Sequence, residues 1–166
     1  MPEVSVQDVT LRPENGSEED NAFMRTLFCS LEQVQSLMLI GKQAEPLIDM
    51  QLRAREQQYR AVYPNGEFQL ILLDCEPIGR VATDQTTDVW RLIDIALMPA
   101  WRGYRLGGQL VERFLRSADA AGCDVAASVL ASNVKALKLW LRIGFQVVEE
   151  RPDYWSLIYT SAQSDD

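Results

Sequence analysis

The sequence contains no histidine, the residue that most often serves as a metal ligand and as a general base near neutral pH. Its three cysteines, Cys29, Cys75 and Cys123, are too few and too widely spaced for a disulfide framework or a cysteine metal site. These absences predict a protein that binds no metal. If the protein is an enzyme, its general base must be a side chain other than histidine.

Basic residues are also scarce, with 16 Lys and Arg against 24 Asp and Glu and a formal net charge of -8 at pH 7. Nucleic-acid-binding domains usually carry a basic stripe, so the balance predicts no nucleic-acid partner. No apolar run approaches the roughly 20 residues of a membrane span. The start of the chain, "MPEVSVQDVT", lacks the basic and apolar regions of a signal peptide. We therefore expect a cytoplasmic protein with no membrane partner.

The pattern of apolar residues predicts one α/β domain over residues 1–160 and a frayed tail at 161–166. Alternation in "VSVQDVTLRP" predicts a first strand. The next segment, "SEED", predicts a helix capped by Ser17, and apolar residues at helical spacing extend that helix to Val34. A second helix is predicted to begin near Pro46 and to end at "YPNG".

The second half of the chain is predicted to begin with an antiparallel meander of three strands, "EFQLILL", "IGRVATD" and "VWRLIDIALM". A long amphipathic helix follows and stops at Gly122. The strand "VAASVL", a helix from about Asn133 to Gly144 and a hairpin of "FQVVEE" and "YWSLIY" complete the domain. Strands separated by a helix are expected to pair in parallel through right-handed crossovers.

The stretch "MPAWRGYRLGG", residues 98–108, connects a predicted strand to the long helix. The first N–H groups of a helix lack partners and its dipole favours negative charge, so such a loop can bind a phosphate. Arg102 and Arg105 could add charge-assisted hydrogen bonds. Spacing alone leaves two interpretations open: a phosphate site, and an ordinary crossover turn with solvated arginines. The stretch matches neither the P-loop nor the dinucleotide fingerprint.

Two motifs, within this order of elements, resemble the GNAT superfamily of acetyl-CoA-dependent N-acyltransferases. The segment "LIDIALMPAWRGYRLGGQLVERFL" is similar to the family's strand, bulge, pyrophosphate loop and helix. The segment "ASNVKALKLWLRIGF" is similar to its strand-to-helix asparagine and its Tyr-x-x-x-Gly-Phe ending. The likeness covers nearly the whole chain. It implies the GNAT fold, an α/β architecture in which about four helices flank a mixed, mostly antiparallel sheet of seven strands.

The resemblance implies that acetyl-CoA is the cosubstrate and that no metal takes part. Strands beside the crossover helix would splay into a V-shaped gap that holds the pantetheine arm. The backbone of Leu97 would hold the acyl carbonyl, and loop amides would hold the pyrophosphate. Asn133 would contact the cofactor arm, although a helix N-cap explains it equally well. The residues implied to bind the cofactor are Leu97, Arg102, Gly103, Tyr104, Arg105, Leu106, Gly107, Gly108, Asn133 and Trp140.

Two residues depart from the family pattern. Arg105 replaces the middle glycine of the loop, and a positive φ at that position would cost an arginine about 1 kcal/mol or more. Trp140 replaces a tyrosine thought to protonate the leaving thiolate, and an indole N–H is not an acid near neutral pH. Tyr154 and Tyr159, on the last predicted strand, are the candidates to replace that acid. Both positions also suit core aromatics.

The implied reaction is direct attack of a primary amine on a thioester. Asp94, in the strand before the loop, is the candidate general base, ahead of Asp88. An alternative is that Asp94 anchors a neighbouring backbone group or an arginine. A different function class also stays open: a catalytically silent protein of this fold that binds CoA or a protein partner.

The acceptor is expected to be a small-molecule or peptide amine. Its pocket is predicted to lie between the first two helices and the last hairpin. Tyr59 and Tyr63 could reach that pocket, although their spacing also suits a packed helix face. Arg53, Arg55 and Arg60 are expected to be solvated. A homodimer is expected only by analogy with other proteins of this fold.

Overall fold

A seven-stranded sheet organises the part of the chain that the computed structural model describes, residues 4–103 and 105–162. In sheet order the strands run β1-β2-β3-β4-β5-β7-β6, and every adjacent pair is antiparallel except β4 and β5. The predicted mixed, mostly antiparallel sheet is therefore confirmed. The strands are β1 (Val9–Pro13), β2 (Glu67–Leu73), β3 (Glu76–Asp84), β4 (Val89–Leu97), β5 (Asp124–Leu130), β6 (Gln146–Glu150) and β7 (Tyr154–Tyr159). The predictions for Tyr104 and for residues 163–166 lie outside the described residues.

Five α-helices accompany this sheet within the described ranges. They are α1 (Glu18–Cys29), α2 (Glu32–Met38), α3 (Glu45–Val62), α4 (Leu106–Ala121) and α5 (Val134–Ile143). Short 3₁₀ turns at Gly41–Ala44 and Pro99–Trp101 precede α3 and α4. Three predicted helix ends are confirmed: Ser17 Oγ accepts from Asp20 N at 3.2 Å, Gly122 ends α4 with φ 67°, and Asn133 Oδ1 accepts from Ala136 N at 3.2 Å.

The prediction of one continuous helix as far as Val34 was wrong. The chain turns at Ser30, whose hydroxyl donates to Leu27 O at 2.6 Å, and Leu31 is extended with ψ 139° before α2 begins. Phe28 and Val34 nevertheless pack in the same buried cluster. The apolar spacing therefore predicted correctly which side chains are buried together, because α1 and α2 bury theirs in the same cluster, but it did not predict the break between the two helices.

The first strand also begins later than the alternation predicts, at Val9 rather than Val4. Residues Ser5 to Asp8 form a turn instead. In it Asp8 N donates to Ser5 O at 3.0 Å and Ser5 N donates to Asp8 Oδ2 at 2.8 Å. The aspartate therefore closes a local turn that competes with the strand.

One of the predicted parallel pairings is correct and two are wrong. Strands β4 and β5, joined through α4, pair in parallel. By contrast β1 and β2 are antiparallel, because the three helices between them return the chain to the end of the sheet at which β1 stops, and Pro13 lies opposite Gln69. Strand β7 lies between β5 and β6 and pairs with both. This inner position suits β7 because it buries Leu157 at 1% exposure, whereas β6 is mostly exposed.

Helices cover both faces of the sheet, as neighbouring residues of β2 show. Leu70 packs with Met24 and Leu27 of α1, and Ile71 packs in the cluster that contains Leu110 of α4. Because successive strand residues point to opposite faces, this alternation places α1 and α4 on opposite sides. No described helix combines the length and apolar character needed to cross a bilayer.

Candidate active site

Strands β4 and β5 separate halfway along their length. Their parallel pairing covers only the segment from Val89 to Leu92, opposite Asp124 to Ala127. Beyond that point β4 pairs only with β3, and β5 pairs only with β7. The register of β3 with β4 shifts just where the separation begins, so that Ile93 forms a bulge that increases the local twist. The predicted V-shaped gap is present here.

The edge of β4 that faces the gap carries backbone N–H groups. Met98 N donates to Ile78 O of β3 at 2.8 Å. Residues of an antiparallel ladder alternate in the direction of their hydrogen bonds, so Leu97 and Ile95 direct theirs away from β3. The carbonyl of Leu97 follows this rule, since it accepts from Arg102 Nε at 2.8 Å rather than from β3. The N–H groups of Ile95 and Leu97 therefore face the gap.

A cleft of about 1030 Å³ opens at this gap, between the end of β4, the loop before α4 and one side of α5. It lies at the upper end of the range of about 300–1,000 Å³ typical of small-molecule sites. Four cations and two carboxylates are among its described lining residues, so it is locally basic on a chain of net charge -8. The predicted residues that line it are Leu97, Arg102, Gly103, Arg105, Leu106, Gly107, Gly108, Asn133 and Trp140.

The loop before α4 leaves the helix start open. Arg105 is left-handed with φ 63° and ψ 0°, and no side chain caps the helix. The first intrahelical bond is from Gln109 N to Arg105 O at 3.0 Å, so the N–H groups of the three residues before Gln109 have no acceptor within the helix. A Cβ at Gly103 would have no atom within 4 Å. Unpaired N–H groups thus adjoin open space, which is the arrangement an anion requires.

Arg102 makes two contacts within the protein that the sequence did not predict. Its guanidinium donates to Leu97 O at 2.8 Å and to Ser30 Oγ at 2.9 Å, so it ties the loop to β4 and to the end of α1. Its charge still lies at the cleft, but two of its nitrogens already have protein acceptors. Arg105, by contrast, is exposed.

A second cleft of about 440 Å³ adjoins the first one and shares eight described lining residues with it, including Ile95 and Trp140. Residues of α1, α3, β4 and β5 complete its wall. No residue of β6 or β7 within the described ranges lines it, so this cleft differs from the acceptor pocket predicted from the sequence, which includes the last hairpin. Trp140 is 8% exposed and packs against Phe145, 6.4 Å between ring centroids, at the junction of the two clefts.

Asp94 lines the second cleft and also binds a buried arginine. Arg80 of β3 is fully buried, donates to both carboxylate oxygens of Glu56 at 2.7 and 2.8 Å, and lies 3.3 Å from Asp94 Oδ2. Its Nε lies 3.0 Å from Glu14 Oε1, without the angle of a hydrogen bond. Burial raises the pKa of Glu14, although the charge of Arg80 opposes that shift. The expectation that Asp94 anchors an arginine thus agrees with these contacts.

This buried ion cluster was missed from the sequence. Arg80 stands inside the apolar strand "IGRVATD", and an arginine flanked by apolar residues is rarely buried unless it is paired. That was the one available signal. Its carboxylate partners come from Glu14, Glu56 and Asp94, which are too distant in sequence to be paired with it by spacing.

The aromatic residue Tyr59 of α3 lines the second cleft. Burial raises its pKa to about 12, and the Asp94 carboxylate adds to the shift, so Tyr59 stays a neutral hydroxyl near pH 7. Arg55 is 21% exposed and lies over the rings of Phe28 and Tyr59. The expectation that Arg55 is solvated was therefore wrong, whereas Arg53 is exposed as predicted.

The remaining proton-transfer candidates lie elsewhere. Tyr154 lines neither cleft, and its ring lies 5.4 Å from the Arg151 guanidinium carbon. Tyr159 donates its hydroxyl to Asp119 at 3.0 Å, and burial raises its pKa with help from that hydrogen bond. Asp88 is exposed in the turn before β4. Asp94 is thus the one predicted proton-transfer residue that the structure places with the cofactor candidates.

The described part of the chain contains no group of three or more His, Cys, Asp or Glu residues that could hold a metal. The two clefts offer backbone N–H groups, the paired carboxylate of Asp94 and the cations of the lining. Such a site can hold an extended anionic ligand in the first cleft and can place a reacting group at the junction with the second cleft.

Comparison with solved structures shows the same fold in several proteins. An N-acetyltransferase, PaiA, from Thermoplasma acidophilum in complex with coenzyme A superposes with TM-score 0.63 at 16% identity, over 92% of this chain and 98% of that one. An acetyltransferase from Thermus thermophilus gives TM-score 0.63 at 23% identity, over 95% and 99%. A GNAT family acetyltransferase from Elizabethkingia anophelis with acetyl-CoA bound gives 0.56 at 17%, over 92% and 98%.

Comparison with curated proteins gives no match. A family model described as Acetyltransferase (GNAT) family, however, matches residues 32–145, which span α2 to the end of α5 and include most of the lining residues of both clefts. The match covers well over half of the chain. The chain belongs to the acetyltransferase (GNAT) family.

Proposed function

We propose that the protein is an acyl-CoA-dependent N-acetyltransferase that moves an acetyl group to a primary amine. One observation carries the proposal: the exposed N–H edge of β4, the uncapped start of α4 and a locally basic lining meet in one cleft. Two proteins with the same fold are described as holding coenzyme A or acetyl-CoA, which supports the same ligand here. The cytoplasmic location and the homodimer stay predictions from the sequence.

The residues of the first cleft fit acetyl-CoA. The open N–H groups at Leu106, Gly107 and Gly108 suit a pyrophosphate, because the helix dipole and the missing side-chain cap leave them available. The N–H groups of Ile95 and Leu97 suit the amides of an extended pantetheine arm, which would bind along β4 as an added strand does.

The chain's own groups then divide the work of the reaction. Acetyl-CoA supplies a thioester carbonyl that an amine can attack, with the thiolate as leaving group. Of the N–H groups of Ile95 and Leu97, the one that does not bind the pantetheine arm would stabilise negative charge on the carbonyl oxygen. Asp94 is the single carboxylate among the described residues that line the second cleft, so it is our proposed acceptor of the amine proton. A thiol pKa near ~8.5 lets the thiolate leave without a strong acid, so the indole of Trp140 need not supply one.

A calorimetric titration with acetyl-CoA followed by thiol detection with a panel of amines tests this function. We expect micromolar to millimolar binding and thiol release with at least one amine. Asp94→Asn should lower the rate by about a hundredfold, within the range for loss of a general base, and should leave acetyl-CoA affinity unchanged. The matched control is Asp88→Asn, in which the exposed carboxylate is replaced and both quantities should stay the same.

A second candidate is a silent protein that binds CoA without turnover. Trp140 favours it, because neither Tyr154 nor Tyr159 is placed to act as the missing acid. Binding without thiol release across the amine panel would favour this second function. Absence of acetyl-CoA binding at millimolar concentration would exclude both.

A further inference from the structure

Arg55 is held in the second cleft by two aromatic rings. Its guanidinium carbon lies 4.8 Å from the centroid of the Phe28 ring and 5.7 Å from that of the Tyr59 ring. Contacts with ring faces orient a guanidinium without engaging its in-plane N–H donors. The side chain is 21% exposed, so its charge is fixed within the cleft wall.

The N–H groups of Arg55 have few hydrogen-bond acceptors among the described residues. Its one carboxylate contact among the described residues, from Nη2 to Glu56 Oε1, is 3.4 Å long, and that oxygen already accepts from Arg80 Nη1 at 2.8 Å. Its Nε is buried and has no hydrogen-bond partner in the described structure. A guanidinium offers five N–H donors, so Arg55 retains several for a further anion.

The same cleft therefore contains opposite charges from two different elements, Arg55 on α3 and Asp94 on β4. Tyr59 lies in the same cleft, with its ring centroid 5.7 Å from the Arg55 guanidinium carbon, and the Asp94 carboxylate helps to raise the pKa of the Tyr59 hydroxyl. The proposed function places the acceptor amine at Asp94. An anionic group elsewhere on the same acceptor would then lie near Arg55. The planar guanidinium can donate two parallel hydrogen bonds to the two oxygens of a carboxylate.

We infer that Arg55 binds a carboxylate of the acceptor, and that the acceptors are amino acids or similar small amines that carry a free carboxylate. The inference rests on the proposed function, because it takes the amine to lie at Asp94. The cleft volume of about 440 Å³ falls within the range of about 300–1,000 Å³ of small-ligand sites, which fits an acceptor of this size.

The test compares each proteinogenic L-amino acid with its own carboxamide as acceptor, which keeps the amine and removes the carboxylate charge. Because the carboxamide also lowers the pKa of that amine, kcat/KM is expressed per unprotonated amine. Thiol release gives kcat/KM for both members of each pair. For the best acceptor we expect the acid to exceed the amide by about tenfold to a hundredfold, the range for a hydrogen bond between charged groups. Arg55→Met should bring this ratio close to one, and Arg55→Lys should leave it intermediate.

Arg53→Met is the matched control, because Arg53 is exposed on the same helix and lines neither cleft. It should keep the wild-type ratio. Acetyl-CoA affinity should be equal in wild type and Arg55→Met, since Arg55 does not line the first cleft. Thermal melting of each variant shows that it is folded. An acid-to-amide ratio near one in the wild type, or the same ratio in Arg55→Met as in wild type, overturns the inference.

A binding measurement separates this inference from the proposed function. N-acetyl-amino acids and their carboxamides are titrated calorimetrically into the wild-type protein and into Arg55→Met. Binding of the acids that is lost in Arg55→Met supports the carboxylate site even when no amine releases thiol, in which case the proposed function alone fails. If the acids bind no better than the amides, the carboxylate site is refuted even when thiol release is observed.

Discussion

Replacement of Gly79 by alanine should disturb the strand that borders the gap. Gly79 lies in β3 directly opposite Leu97 of β4. A Cβ at this position would lie 2.4 Å from Ala96 O, 2.7 Å from Leu97 Cδ2 and 3.2 Å from Ile71 Cδ1. The first of these atoms is backbone and cannot rotate away, so the strand itself must move.

The expected loss of stability follows from this geometry. Relief of the contact with Ala96 O requires a movement approaching 1 Å, and overpacking of a dense core usually costs about 1–3 kcal/mol. Alanine also lowers the conformational entropy of the unfolded chain, which stabilises the folded protein by about 0.4–1 kcal/mol when the native backbone is unstrained. Because the blocked atom is backbone, we take the upper part of the first range and expect a net loss of about 2 kcal/mol.

Urea unfolding followed by tryptophan fluorescence measures this loss, and acetyl-CoA titration measures its effect on the site. We expect weaker acetyl-CoA binding as well, because the displaced residues, Ala96 and Leu97, border the first cleft. The matched control for stability is Gly108→Ala. Its Cβ would meet only Leu139 Cδ1 at 3.5 Å and Ile143 Cδ1 at 3.8 Å, and alanine in a helix is favoured by about 0.5–1 kcal/mol.

The two substitutions should therefore change stability in opposite directions, although they add the same methyl group. The free energy of unfolding of Gly79→Ala could instead lie within about 0.5 kcal/mol of the wild-type value, below the usual cost of overpacking. In that case β3 and β4 do not approach each other as closely at Gly79 as the structure shows. A loss of stability in Gly79→Ala without any change in acetyl-CoA affinity would instead separate this contact from the site.

Three further predictions concern the loop, the start of α1 and the missing acid. Arg105→Gly should raise the free energy of unfolding in urea by about 0.5 kcal/mol. A left-handed arginine costs about 1–2 kcal/mol, whereas glycine loses about 0.5–1 kcal/mol more conformational entropy on folding. A lower free energy of unfolding would contradict this prediction. Asp20→Asn should cost about 1–2 kcal/mol at pH 7, allowing for the partly exposed Arg12. The hydrogen bond from Arg12 lowers the pKa of Asp20 in the folded protein. The stability that the carboxylate contributes is therefore complete above its ordinary pKa of 3.8 and is lost as the pH falls through the lower folded pKa. The difference in free energy of unfolding between wild type and Asp20→Asn should be smaller at pH 2 than at pH 7. Trp140→Tyr should change the rate of thiol release by less than about tenfold, since the thiolate leaves readily, and a hundredfold rise would show that proton donation limits the reaction.

Much of the candidate cofactor site could be predicted because its residues are neighbours in sequence. The segment from Leu97 to Gly108 is one strand end, one loop and one helix start, so its members must lie together wherever the loop is placed. The local signals, namely glycines, an unpaired helix start and a following amphipathic helix, indicated a possible phosphate site and left an ordinary turn as the alternative. The resemblance to a family added Asn133 and Trp140, which the structure places in the same cleft.

The ends of helices could also be predicted for a local reason. Capping at Ser17, Gly122 and Asn133 depends on a side chain or a backbone angle within a few residues of the helix end. The same kind of reasoning failed for the first helix. The apolar spacing that continues to Val34 records which side chains are buried together, and two short helices on one surface bury them as well as one long helix does.

The sequence by itself determined the order of the elements, most of their ends and the residues around the loop, because these depend on interactions between residues close along the chain. Only the tertiary structure decided that β7 inserts between β5 and β6, that Arg80 meets three carboxylates, and that Arg55 lines the second cleft. Hydrophobic periodicity reports which face of an element is buried but not which element covers it. Likewise, the sequence around a buried charged side chain does not identify the distant residue that pairs with it.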